Sequence, residues 1–113
     1  MFTVKTICRF SAAHRLIEPY QGKCNQLHGH TWKVEVVMKS SKLDNCGMVV
    51  DFKEIKNIVD SFDHRYLNDF ISQPTAENIA KILFNKIKVK FFKPESVKVW
   101  ESETSYAKYF ESE

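Results

Sequence analysis

The residues of this chain best suited to chemistry are its four histidines, three of which lie close together near the N-terminus. His14 sits in Phe10-Ser-Ala-Ala-His14-Arg-Leu16, and His28 and His30 sit in Cys24-Asn-Gln-Leu-His28-Gly-His30. His64 follows an acid, in Asp63-His64. Three imidazoles that meet would bind zinc and leave a tetrahedral ion one position for water or substrate, the pattern of a catalytic site. Cys24, just upstream of His28, adds a nucleophile or base. A neighbouring Lys23 and a nearby metal would both favour the reactive thiolate.

The elements that must position these residues can be read from periodicity. From Phe2 to about Ala13 apolar residues fall on even positions (Phe2, Val4, Cys8, Phe10, Ala12), which predicts a strand with one buried face. The pattern returns from about Thr31 to Lys39, with Trp32, Val34, Val36 and Met38 inward. Gly47 to Val50 reads as a short extended piece. Asp51 with Glu54 then makes a capping-box-like start to a helix carrying Phe52, Ile55, Ile58, Val59 and Phe62. Pro74 and Thr75 open a second helix, with Ile79, Ala80, Leu83 and Ile87 as its apolar stripe. Two strands close the chain, Ser96 to about Glu101 and Thr104 to Phe110. The expectation is an α+β domain over residues 1–113, a four-stranded antiparallel sheet with two helices in ββααββ order. Such a sheet has two free edges, which another copy of the chain could pair.

Parity places the histidines. His14 continues the inward face of the first strand at its C-terminal end, and His28 and His30 share the inward parity of the second, before its regular stretch. If the two strands pair antiparallel, all three imidazoles converge on one face at one end of the hairpin. A single histidine near a sheet end is ordinarily hydrogen-bonded and inert, but three on one face argue for a metal. Cys24 could instead be a fourth ligand closing a structural site, and that alternative stays open.

Other positions carry weaker signals. Cys8 reads as core and Cys46 as a turn residue. Asp63 could orient His64 as a base or proton relay, although a histidine at a helix end needs no such role. Glu77 would suit the first turn of the second helix through the helix dipole alone. Glu101 ends the inward stripe of Val97 and Val99, and a half-buried acid there needs a partner such as a ring with several N–H groups; a solvated strand end is the plain alternative. Arg9, Arg15 and Lys23 flank the cluster and could meet an anionic substrate.

Bulk properties set the frame. A chain of 113 residues with 43% hydrophobic and 27% charged residues has the composition of one ordinary globular domain. Its net charge of +3, without a basic tract, makes nucleic acid a poor partner, though an anionic small molecule would fit. Three cysteines without a C-x-x-C pair argue against a disulfide framework and for a reducing cytoplasm. The charged N-terminus lacks the apolar stretch of a secretory signal, and no apolar run is long enough to span a membrane.

These stretches, taken in order, closely resemble the 6-pyruvoyltetrahydropterin synthase and 6-carboxytetrahydropterin synthase family. The matching segments are the two histidine motifs, Gly47-Met-Val-Val-Asp-Phe52, Asp63-His64, Pro74-Thr-Ala-Glu-Asn78 and Val97-Lys-Val-Trp-Glu101. The resemblance implies the tunnelling fold (T-fold), with barrels assembled from several subunits, typically hexamers with sites at subunit interfaces. It implies that His14, His28 and His30 bind Zn2+, that Cys24, Asp63 and His64 transfer protons, and that Glu101 anchors a pterin ring with help from Thr75, Ala76 and Glu77. The implied substrate is 7,8-dihydroneopterin triphosphate. The short interval between Cys24 and His28 favours the bacterial queuosine branch, and Cys24 argues against the folate branch, which carries Glu there. Ala76 departs from the Ser or Thr that relatives often carry. The implied reaction is zinc-dependent conversion to 6-carboxy-5,6,7,8-tetrahydropterin, acetaldehyde and triphosphate. The alternatives are triphosphate elimination alone, giving 6-pyruvoyltetrahydropterin, and a zinc- or pterin-binding module without turnover.

Overall fold

A computed structural model describes residues 1–112. A long hairpin, β1 (Phe2–His14) and β2 (His28–Ser40), is followed by α1 (Phe52–Asp60) and a two-residue strand β3 (Arg65–Tyr66). Helix α2 (Ala76–Lys90) and strands β4 (Ser96–Trp100) and β5 (Tyr106–Tyr109) complete the chain. The sheet runs β3-β1-β2-β4-β5 and is antiparallel except where β3 joins β1. The ββααββ order holds, but the sheet has five strands where four were expected. Strand β3 is too short to show an alternating pattern. It exists because Asp63 and His64 grip the edge of β1: the Ser11 N–H donates to Asp63 Oδ1 at 2.8 Å, and the His64 N–H donates to the Ser11 carbonyl at 2.7 Å.

Helix α1 packs on β1 and α2 on β4 and β5, both on the sheet face that carries the even-numbered residues of the hairpin. Phe10, Trp32, Val34, Val36 and Met38 from the sheet meet Ile55 and Val59 of α1 and Ile79, Leu83, Phe84 and Ile87 of α2, all essentially inaccessible to solvent. Burying a side chain of this size contributes about 1.5–3 kcal/mol, so this face fixes which histidines point inward. At the periphery the parity weakens: Phe2 is 47% exposed and Cys8 only half-buried.

The helix starts differ in detail from expectation. Asp51 does cap α1, accepting from the Lys53 N–H at 2.9 Å, but Glu54 does not reach back; it pairs with Lys90 of α2 at 3.0 Å. Phe62 is buried just beyond the end of α1, and Phe52 at its start is 48% exposed. Pro74 lies outside α2, and Thr75 is the cap, its side chain accepting from the Asn78 N–H at 3.1 Å. Gly47–Val50 is a bent segment instead of an extended piece, following a turn at Asn45-Cys46 in which Asp44 Oδ1 accepts from Cys46 and Met48. Glu101 falls just past β4 in the turn to β5. No helix among the described residues is long and apolar enough to cross a membrane. Among those residues β1 pairs on its outer side only at Ala12 and Ala13, leaving most of that edge free.

Candidate metal centre and active site

Register brings the three early histidines together. His14 lies opposite His28 in the hairpin and Ala12 opposite His30, so all three imidazoles leave the inward face at its open end. Ring centroids are 4.5 Å apart for His14 and His28, 4.8 Å for His28 and His30, and 5.2 Å for His14 and His30. Trp32 walls the cluster from the core side, its ring centroid 4.9 Å from that of His14.

Two of the rings are oriented through their other nitrogen. His14 Nδ1 lies 2.7 Å from the Pro74 carbonyl oxygen, and His28 Nδ1 lies 2.7 Å from that of Gln26. A carbonyl only accepts, so each Nδ1 carries the proton and donates it, which leaves Nε2 as a lone pair. The Nε2 atoms of His14, His28 and His30 are all buried with no hydrogen-bond partner. Leaving a buried polar atom unsatisfied costs about 1–3 kcal/mol, and three such atoms side by side could hold a cation. Burial holds both His14 and His30 below the ordinary histidine value of 6.5. The Pro74 carbonyl and Glu101 oppose this at His14, and Glu101 opposes it at His30, while neighbouring imidazoles reinforce it. Neutral imidazole is the form that binds metal.

Glu101 joins this group. Its Oε1 lies 3.1 Å from His30 Nε2 without the geometry of a hydrogen bond, and the four ligand atoms of His14, His28, His30 and Glu101 all lie within 4.8 Å of one another. Three imidazole nitrogens and a carboxylate oxygen suit zinc. Cys24 is not in that group. It stands on a 3-10 turn, Lys23–Asn25, half-buried, and lines a cavity of about 550 Å³ with Lys23, Gln26, His28 and His30. The Leu16 N–H donates to the Cys24 carbonyl at 2.7 Å, and Asn25 Nδ2 donates to the Leu16 carbonyl at 3.0 Å. Tyr20 packs against the same turn. A hydrogen bond with Cys24 is the first cause holding its phenol above 10, and a Cβ at Gly22 would stand 2.7 Å from its hydroxyl.

The loop after His14 is held by two side-chain amides. Asn68 accepts from the Arg15 N–H and donates to its carbonyl, both at 2.9 Å; Gln73 does the same for Ile17 at 2.8 and 3.0 Å. Each amide mimics a neighbouring strand, so the Cys24 loop and the segment supplying the Pro74 carbonyl are tied together. Thr75, Ala76 and Glu77 follow Pro74 directly, which sets the start of α2 beside His14.

Asp63 and His64 stand elsewhere. His64 is 85% exposed at φ 57°, with Nε2 3.5 Å from Asp63 Oδ2. It lines a shallow depression with the outward positions Ser11, Ala13, Gly29 and Thr31 of the hairpin, which His30 also borders. Among the described residues no hydrogen bond or ion pair joins Asp63 or His64 to Cys24. One chain therefore gathers His14, His28, His30 and Glu101, places Cys24 beside them, and leaves Asp63-His64 on the outward face. The supports that sequence reading missed are Asn68, Gln73, Tyr20 and the Pro74 and Gln26 carbonyls. Backbone carbonyls leave no sequence signal, and amides in a polar loop look like solvated surface.

Residues 3–112 match the family model described as 6-pyruvoyl tetrahydropterin synthase. A 6-carboxy-5,6,7,8-tetrahydropterin synthase of Synechocystis sp. is 39% identical over 113 residues, covering 89% of this chain and 87% of the relative. One from Haemophilus influenzae is 32% identical over 143 residues, covering 98% and 100%. Among solved structures, that of Caenorhabditis elegans 6-pyruvoyl tetrahydropterin synthase superposes with a TM-score of 0.82 at 29% identity, covering 98% of this chain and 96% of that one.

Proposed function

Because this chain belongs to the 6-pyruvoyl tetrahydropterin synthase family and has the T-fold, we propose that it is a zinc-dependent 6-carboxy-5,6,7,8-tetrahydropterin synthase. In this reading residues 1–113 form one domain that converts 7,8-dihydroneopterin triphosphate to 6-carboxytetrahydropterin, acetaldehyde and triphosphate, as a step of queuosine synthesis. It works in the cytoplasm as a homo-oligomer, a hexamer whose subunits pair the free edge of β1. The names of the relatives at 32–39% identity support the reaction. The observation that carries the site is the trio of buried, unpartnered Nε2 atoms on His14, His28 and His30.

Zinc held by those three nitrogens supplies a Lewis acid for the oxygens of the substrate's side chain. The remaining work falls to the chain. Cys24 Sγ takes and returns a proton between side chain and ring, from the cavity that it shares with His28 and His30. His64 of a neighbouring subunit, paired with the adjacent Asp63 as in this chain, moves the second proton. Glu101 accepts the ring N–H groups, and the first-turn N–H groups of Ala76 and Glu77, which have no partner within the helix, meet the ring's acceptors beside Thr75. Trp32 and Pro74 exclude water from the back of the cluster.

Cys24→Ala tests this arrangement. The variant keeps its zinc and loses turnover; loss of zinc together with turnover would make Cys24 a ligand of a closed site. Elimination of triphosphate alone is distinguished by the absence of acetaldehyde.

A further inference from the structure

We propose that the face of the sheet turned away from the helices carries a binding site for a short chain of linked phosphates, built on Arg9, Lys33 and Trp100. The site requires neither metal nor turnover, so it stands apart from the reaction proposed above.

Register is the first observation. Arg9 lies directly opposite Lys33, Lys33 opposite Trp100, and Trp100 opposite Tyr106, a single row across the outward side of β1, β2, β4 and β5. The next outward row places Lys98 opposite Lys108. Like charges directly opposite each other destabilise a sheet, and this face has two such pairs. Its outward positions on those strands carry six cations (Lys5, Arg9, Lys33, Lys39, Lys98 and Lys108) against one carboxylate, Glu35. That excess is larger than the net +3 of the whole chain. Glu35 reaches Lys33 at 3.9 Å and Lys98 at 3.8 Å, and one carboxylate shared by two lysines leaves the other cations uncompensated.

A cavity is the second. Arg9, Thr31, Lys33, Trp100, Ser102 and Glu103 line about 400 Å³ at the first row. Arg9 is exposed, and among the described residues its guanidinium has no hydrogen bond or ion pair. Trp100 Nε1 is buried without a hydrogen-bond partner. Guanidinium, ammonium, indole N–H and two hydroxyls together form a set of donors, and phosphate oxygens are the acceptors that suit them.

The extent of the face selects among anions. Successive outward rows stand roughly 7 Å apart along the strands, so linked phosphates reach both like-charge pairs where a single phosphate meets one. Lys33 Nζ lies 5.1 Å from the centroid of the Trp100 ring, and the Tyr106 ring centroid lies 4.4 Å from it. The ring is therefore already engaged where a nucleic-acid base would stack.

Calorimetric titration of metal-free, chelator-free protein tests the site, with inorganic triphosphate and orthophosphate as ligands at ~0.15 M salt. Triphosphate is expected to bind, and more tightly than orthophosphate. Arg9→Gln is expected to weaken triphosphate at least about tenfold, the loss of one charge-assisted contact. Without ligand the same variant is expected to melt higher than the parent, because a like-charge pair is relieved. Glu103→Gln removes the cavity's own carboxylate and is expected to tighten binding severalfold. Lys81→Gln, an equal charge change at an exposed position of α2, is expected to leave binding unchanged. Displacement by 7,8-dihydroneopterin triphosphate only at concentrations comparable to inorganic triphosphate makes a free oligophosphate the ligand; displacement at far lower concentrations makes the ligand the tail of that substrate. No binding of triphosphate, or equal weakening by Arg9→Gln and Lys81→Gln, would overturn the site. A single-stranded oligonucleotide that binds more tightly than triphosphate would overturn the choice of ligand in favour of nucleic acid.

Discussion

Co-assembly of Cys24→Ala chains with His64→Asn chains is expected to recover activity that neither variant has alone. Cys24 opens into the cavity beside His28 and His30, whereas His64 lines a different depression with Ser11 and Thr31 that shares only His30 with that cavity. If both act on one substrate, Cys24 of one chain must meet His64 of a neighbour. In a random equal mixture each site draws the two residues from different chains, so about one quarter of sites hold both intact. If both acted within one chain, every site would lack one of them. Asparagine is the appropriate replacement at position 64 because φ is 57° there, a conformation that asparagine tolerates better than alanine. The chains are coexpressed in equal amounts, and each variant is first shown to melt normally and to carry zinc. Turnover per chain near one quarter of the parent's, at unchanged KM, is the expected result. Hybrid activity no greater than that of the separate variants would refute the shared-site reasoning.

Three further outcomes follow from the supports of the site. Gln73→Leu removes both hydrogen bonds to the Ile17 backbone, which costs about 1–2 kcal/mol and lowers Tm by roughly 3–10 °C, read by calorimetry; an unchanged Tm would show that the amide clamp contributes nothing. Asp63→Asn keeps an acceptor for the Ser11 N–H whereas Asp63→Ala does not, so both variants lose turnover but only the alanine variant loses stability in urea. Burial lowers the folded-state value of His14 below 6.5, so in metal-free protein the unfolded chain takes up a proton that the folded chain refuses. That stability is complete above about 6.5 and drains away as pH falls below it, and urea midpoints in the presence of chelator should decline in that direction; a midpoint that rises on acidification would contradict this.

The histidine cluster was legible in the sequence because a strand's period of two turns position into direction, and Trp32, Val34 and Val36 left no doubt about the inward face. The two helices were legible through the helical period instead, their stripes being set by burial of Ile55, Val59, Leu83 and Ile87 at spacings of four. What escaped was structure made by single hydrogen bonds. Strand β3 follows from one carboxylate and one N–H gripping Ser11, and the reciprocal half of the Asp51 cap failed because Glu54 had a better partner in Lys90. Neither event changes periodicity. Glu101 was singled out as a half-buried acid in need of a partner, but its closeness to His30 depends on the register of β2 with β4, which places Trp100 opposite Lys33. Cross-strand register of that kind is not written in either strand alone.

The central claim is that a metal held by His14, His28 and His30 serves carbon–carbon cleavage of a pterin side chain. Quantifying acetaldehyde and triphosphate released from 7,8-dihydroneopterin triphosphate, by zinc-loaded and by metal-free protein, tests it most directly. The account predicts equal amounts of the two products with zinc, together with 6-carboxytetrahydropterin by mass, and neither product without it. Unconsumed substrate with the fully loaded protein would contradict it.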